Sequence, residues 1–81
     1  MYLAVTDVKP LSNYQLLLIF GNGEKKIFDM KPYLDKGIFK ELQDEKKFRS
    51  VRVSFDSIEW SNQADIDPEV LYEKSVAYSL Q

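Results

Sequence analysis

The 81-residue sequence contains no cysteine and no histidine. Without cysteine there is no disulfide to staple a small fold and no thiolate nucleophile. Secreted chains of this size often depend on such staples, so a reducing, cytoplasmic setting is the expectation. Without histidine, the side chain that titrates nearest neutral pH is missing, and a general base would have to be something else. Glycine and proline are scarce, at three each. Neither G-x-x-x-x-G-K-[ST] nor G-x-G-x-x-G occurs, so no phosphate-cradling loop is expected. Long apolar runs are also lacking. The longest, Leu16 to Phe20, is far too short to cross a bilayer, and nothing resembles a signal peptide. A net charge of −2 leaves no electrostatic footprint for nucleic acid. No cofactor is implied.

What is present suits one small folded domain spanning residues 1–81. The sequence is 44 % hydrophobic and 14 % aromatic, enough to drive folding. Charge is unevenly spread. Glu24 to Val53 carries net +3, and Ser54 to Gln81 carries net −5. The simplest account is two solvated faces. The sharper one is a polarised surface that meets a complementary protein, another copy of the chain included.

Tyr2 to Val8 has the β-branched and aromatic content of a strand, ended by Lys9-Pro10. Asn13 opens a stronger strand, YQLLLIF. It places Tyr14, Leu16, Leu18 and Phe20 on one face and Leu17 and Ile19 on the other. Asn22-Gly23 favours a two-residue type I′ hairpin, and Glu24 to Asp29 returns as the third strand of a meander. Pro32 suits the start of a short helical turn and Gly37 its end. Leu34, Ile38 and Leu42, at four-residue spacing with Phe39 beside them, define an inward face. Asp44 can cap a second turn, Glu45 to Phe48, with Lys46 and Lys47 outward. Val51, Val53 and Phe55 alternate with polar residues as a half-buried strand. Asp56-Ser57 is a tight turn, and Ile58 and Trp60 belong to a short last strand. Asp67-Pro68-Glu69 reads as a helix start, with Val70 and Leu71 beneath the helix and Tyr72 at its flank. Val76, Tyr78 and Leu80 fit either a strand or a continued helix, so residues 76–81 stay open. The expected fold class is α+β: a small antiparallel sheet (three-strand meander, short helical turns, two further strands) with a C-terminal helix.

FGNGEKKIFDMKPYLDKGIFKELQDEKKFRSVRV, followed by IEWSNQADIDPEVLY, resembles a small bacterial family, domain of unknown function 2442, over about residues 5–75. The ordered set carries the resemblance: Asn22-Gly23-Glu24, Phe28-Asp29, Pro32, Leu34, Gly37, Phe39, Leu42, Phe48, Ile58, Trp60, Asn62, Asp65-Ile66, Pro68-Glu69 and Leu71-Tyr72. Gln63 stands where the family often has glycine, which argues against a tight turn with positive φ there. The resemblance implies a small α+β domain with an antiparallel sheet and no established activity. It also implies a gene beside that of another small protein, an arrangement similar to toxin–antitoxin pairs. Some members carry a further DNA-binding helical domain; these 81 residues hold no counterpart, so DNA binding is not carried over.

The acidic stretch WSNQADIDPE is the place to look for a site. Asn62, Asp65, Asp67 and Glu69 are oxygen donors of the kind Ca²⁺ or Mg²⁺ takes. A twelve-residue calcium loop counted from Asn62 would need glycine where Asp67 stands, so no metal site is assigned. Asp65 and Glu69 could act as a carboxylate pair, but Asp67 is better used as a helix cap and no catalytic residue is assigned. The aromatic set (Tyr14, Phe20, Phe28, Phe39, Phe48, Phe55, Trp60, Tyr72) reads as core, except that Trp60, large and placed at the rim of an acidic loop, is a candidate contact residue. The expected function is a non-enzymatic protein-interaction module, partner of an operon-encoded protein. Its candidate surface comprises Trp60, Asn62, Asp65, Glu69 and Tyr72. The alternative is a small-ligand or metal-sensing domain with its site near the Trp60–Glu69 loop. Self-association through exposed sheet edges is also expected, since Lys25, Lys26 and Arg52 protect those edges only partly.

Overall fold

The computed structural model describes residues 4–78. The chain forms β1 (Val5–Pro10), β2 (Gln15–Phe20), β3 (Lys25–Asp29), α1 (Glu45–Phe48), β4 (Arg52–Ser54), β5 (Ser57–Glu59), β6 (Asp65–Ile66), α2 (Pro68–Lys74) and β7 (Val76–Ala77). Short 3-10 turns over Ser12–Tyr14, Lys31–Tyr33 and Gly37–Gln43 join them. One antiparallel sheet has the order β1-β2-β3-β7 and a second the order β4-β5-β6. The expected α+β class, meander and C-terminal helix are therefore present. Tyr2 and Leu3, at the start of the expected first strand, lie outside the described residues, as do residues 79–81.

β2 is the centre of the larger sheet because its sequence is apolar on both faces. Leu16, Leu18 and Phe20 are buried, while Leu17 and Ile19 are half-buried. The core they enter also holds Val5, Phe28, Met30, Leu42, Phe48, Ile58, Trp60 and Leu71. β2 begins one residue after Tyr14, not at Asn13. Asn13 and Tyr14 adopt left-handed φ of 61° and 58°, which swings Tyr14 out of the strand. Its ring packs edge-on against Phe48 at 5.2 Å, and its hydroxyl donates to the Gln43 carbonyl at 2.5 Å.

The β2–β3 hairpin differs from the expected two-residue form. Gly23 N–H donates to Phe20 C=O, and Phe20 N–H donates to Glu24 C=O. Gly21, Asn22 and Gly23 therefore form a three-residue loop with a single left-handed residue, Gly23 at φ 88°. Register explains the choice. The observed pairing sets Leu16 opposite Phe28, so both side chains enter the core. A two-residue loop would slip β3 by one position and set Phe28 opposite the outer-face Leu17, and such a slip turns every side chain to the other face.

Two further expectations fail for identifiable reasons. Ile38 is 46 % exposed rather than inward. Gly37 opens the next turn, with φ 51°, and the following segment is a 3-10 helix. Three residues per turn align Phe39 with Leu42, not Ile38. Phe55 is 99 % exposed. The tight turn lies one residue earlier than expected, at Phe55-Asp56, with φ of 49° and 68° between the paired residues Ser54 and Ser57. The two-residue turn with both φ positive thus occurs here, and it lifts Phe55 off the sheet. Val53 is 38 % exposed on the same strand.

Both helix caps match expectation. The Asp44 carboxylate accepts from Lys46 N–H at 3.0 Å, and that of Asp67 accepts from Glu69 N–H at 2.8 Å. Leu71 is the buried residue of α2. After Ser75 the chain becomes a strand: Val76 pairs with Ile27 and Ala77 with Lys26. The open choice for the tail is settled as a strand over those two residues.

Candidate functional site

The residues expected to form one surface are divided by the fold. Trp60 is the clearest correction. It is 1 % exposed, and its indole N–H donates to the Phe48 carbonyl at 2.9 Å. Phe39 packs edge-on to its ring at 6.1 Å, and Phe48 lies at 6.5 Å. Alternation carried one residue past β5 explains this, because Trp60 falls on the inward face of Ile58 and the indole finds a backbone acceptor there. Trp60 is a core anchor and offers nothing to a partner.

Asn62 is half-buried and makes structural bonds. Its side-chain carbonyl accepts from Ala64 N–H at 3.0 Å, while its amide reaches Ile38 C=O at 3.4 Å and Glu41 Oε1 at 3.3 Å. Tyr72 lies on a different side, against the first hairpin. Its hydroxyl donates to Glu24 Oε1 at 2.7 Å, and its ring packs edge-on to Phe20 at 5.1 Å. Lys26 Nζ sits 3.8 Å from the centre of the same ring and donates to the Tyr72 carbonyl. Asp65 and Glu69 are exposed. Asp65 lies on β6 opposite Glu59, and Glu69 is in the first turn of α2. The oxygen donors of the acidic stretch are thus directed to separate tasks. Among the described residues no three metal-binding side chains (His, Cys, Asp or Glu) converge.

The Tyr72–Glu24 bond has an electrostatic signature. The Glu24 carboxyl is held below its ordinary value, first by the Tyr72 hydroxyl and then by the Asn22 amide. The Tyr72 hydroxyl is raised above its ordinary value, first by the same bond. Hydrogen bonding to a charged acceptor stabilises that charge and makes the donor harder to ionise. The pair clasps the first hairpin to α2.

A different constellation is exposed. An open groove of about 530 Å³ lies between the β4–β5 turn and the start of α2. Phe55, Ile66 and Pro68 are among its apolar lining, and Glu59, Asp65 and Asp67 its acidic lining. Arg52 pairs with Glu59 at 3.2 Å across the strands. Of the expected surface, only Asp65 borders this groove. The sequence pattern places Phe55 in the core and Asp67 at a helix cap; the structure keeps the cap and exposes Phe55. The local sequence sign of this exposure is the residue after Phe55: Asp56 tolerates a left-handed turn, so the turn can include Phe55.

No helix among the described residues is long and apolar enough to cross a membrane. Searches of curated proteins and of solved structures gave no match to the chain. Residues 5–77 match the family described as "Protein of unknown function (DUF2442)". That span runs from the first residue of β1 to the last of β7, so the two sheets and both helices lie within the match. The ordered motifs, the antiparallel meander, the capped C-terminal helix and the match over residues 5–77 agree, and the chain belongs to the DUF2442 family.

Proposed function

We propose that this chain is a non-enzymatic protein-interaction module, the small member of an operon-encoded pair of the toxin–antitoxin kind. The observation that carries the reading is Phe55. An aromatic side chain, 99 % exposed at the tip of a turn with left-handed φ, gains nothing from the fold it belongs to. Large exposed apolar residues in patches mark contact surfaces, and aromatics are enriched there. Val53 on the same hairpin and the groove beside it extend the surface. The sequence has neither histidine nor cysteine, which favours binding over chemistry. A tagged chain co-expressed with the product of the adjacent gene should co-purify with it in fixed stoichiometry. Recovery of the tagged chain alone, there and from its native cell, would sink the reading.

A small-ligand reading draws on one observation, the groove bordering the acidic stretch. It requires the melting temperature to rise with a divalent ion or a metabolite. An unmoved transition across a broad library removes it. Self-association has its own candidate edge, β7, where Val76 is 66 % exposed and Tyr78, just after it, 40 % exposed. Light scattering at high protein concentration should then give a mass above that of the monomer.

A further inference from the structure

We infer that the groove between the β4–β5 turn and the start of α2 takes an arginine-bearing, extended segment of a partner protein. The inference rests on the interaction reading above and names the chemistry of its partner. The groove combines two features that arginine satisfies together. One is the Phe55 ring, held clear of the sheet by its left-handed turn and 99 % exposed. The other is an acidic wall of Glu59, Asp65 and Asp67. The wall is under-neutralised. Arg52 reaches Glu59 at 3.2 Å, and the Asp67 carboxylate accepts from Glu69 N–H and has no ion pair among the described residues. Asp65 is exposed, and among the described residues it has no ion pair. From Ser54 to Gln81 the sequence has one lysine, Lys74, against six acids. The complement to this surface is therefore cationic.

Arginine fits better than lysine for a geometric reason. A guanidinium is planar, so it can lie over an aromatic ring while its N–H edge forks onto a carboxylate. An ammonium is a compact, strongly hydrated charge and does both less well. Ile66 and Pro68 give the groove an apolar wall for the residues flanking the arginine. β6 is the outer strand of its sheet, so an extended segment laid beside it would run along the groove.

The test uses the full chain labelled with nitrogen-15 and three blocked peptides, Ac-Gly-Leu-Arg-Leu-Gly-NH₂ and its lysine and citrulline forms. The arginine peptide should give saturable amide shifts centred on Phe55 and on Asp65 to Asp67. Citrulline keeps the shape without the charge and should weaken binding by about tenfold, with lysine between the two. Phe55→Ala and Asp65→Asn should each weaken the arginine peptide by roughly threefold to tenfold, and added salt should weaken it further. Both side chains are exposed, so the variants keep their folded spectra. Equal binding of arginine and citrulline, shifts elsewhere on the surface, no shifts, or indifference to both variants would overturn the assignment. So would the same shifts appearing on concentration without peptide, which would make a second copy the occupant. The two readings fail differently. If the neighbouring gene's product does not co-purify, the interaction reading falls. If it co-purifies equally with wild type, Phe55→Ala and Asp65→Asn, that reading stands and the groove assignment falls.

Discussion

Two loops in this molecule have the same backbone and different sequences. In FGNGE, Gly23 N–H donates to Phe20 C=O and Phe20 N–H to Glu24 C=O. In WSNQA, Gln63 N–H donates to Trp60 C=O and Trp60 N–H to Ala64 C=O. Each loop starts from a buried aromatic. In each the asparagine side-chain carbonyl accepts from the backbone N–H two residues on, at 3.0 Å. In each the residue after the asparagine is left-handed, Gly23 at φ 88° and Gln63 at φ 71°. The shared element is the asparagine, whose side chain builds the turn locally. Glycine at the next position removes strain but does not define the loop. The expectation that Gln63 argues against a positive-φ turn was wrong for that reason. The loops differ in how they are tied to the rest of the protein. The first is tied by its last residue, Glu24, to Tyr72 on α2. The second ends in Ala64, which has no polar side chain to offer, and is tied by Asn62 to Ile38 and Glu41.

Removing an aromatic anchor should have the largest effect. Trp60→Ala opens the core and orphans the Phe48 carbonyl, at a cost of about 3–5 kcal/mol in urea denaturation. A cost under about 1 kcal/mol would mean that the indole is not the anchor of the second loop.

The left-handed position comes next and should give opposite signs in the two loops. Gly23→Ala places a side chain at φ 88°, costing roughly 1–2 kcal/mol. Nothing lies within 4 Å of the added Cβ, so the cost is conformational, not steric crowding. Gln63→Gly should raise stability by about 0.5–1 kcal/mol, since relief of strain outweighs the added freedom of the unfolded chain. Matched midpoint shifts of the same sign would show that the loops are not equivalent.

The asparagines sharpen the comparison further. Asn62→Ala and Asn22→Ala each lose a turn hydrogen bond, about 1 kcal/mol. Asn62→Ala should cost more, because the Asn62 amide ties its loop to Ile38 and Glu41, whereas the Asn22 amide bonds within its own hairpin, to Glu24. A larger loss for Asn22→Ala in the same denaturation series would reverse the assignment of the cross-tie.

The smallest effect should be seen in pH dependence, and only the first loop should show it. The Glu24 carboxyl is depressed below 4.5. Its contribution is therefore present above the unfolded value and is lost as pH falls through the folded one. Tyr72 is raised above 10.0, so its contribution is full below that and is lost as pH rises through the folded value. Tyr72→Phe should flatten both limbs of a melting-temperature profile against pH. Unchanged limbs would show that the Tyr72–Glu24 bond contributes nothing in solution.

The parts of the fold legible in the sequence were those set by local chemistry. The Asp44 and Asp67 caps, the apolar alternation of β2 and the short strand holding Ile58 each follow from neighbouring residues. So does the need for a turn at Asn22-Gly23. The site was less legible. Asp65 was placed at an exposed surface as expected, but Trp60 was assigned to the surface from its size and Phe55 to the core from its alternation. Size does not show that the indole N–H finds an inward acceptor in the Phe48 carbonyl, and phenylalanine is a poor residue for the left-handed turn at Phe55-Asp56, whose one local sign is Asp56.

The sequence by itself determined the three-strand meander, the two strands that follow it, the caps, the overall class and the absence of histidine and cysteine chemistry, whereas β6 and β7 came from the tertiary structure. The former depend on periodicity and on side chains that bond to their own backbone. The tertiary structure decided loop length, because the core requires Phe28 opposite Leu16. It decided the burial of Trp60, because the Phe48 carbonyl waits for its N–H. It also decided the exposure of Phe55, because register between β4 and β5 is fixed by Ile58 entering the core, leaving the turn residues no inward position.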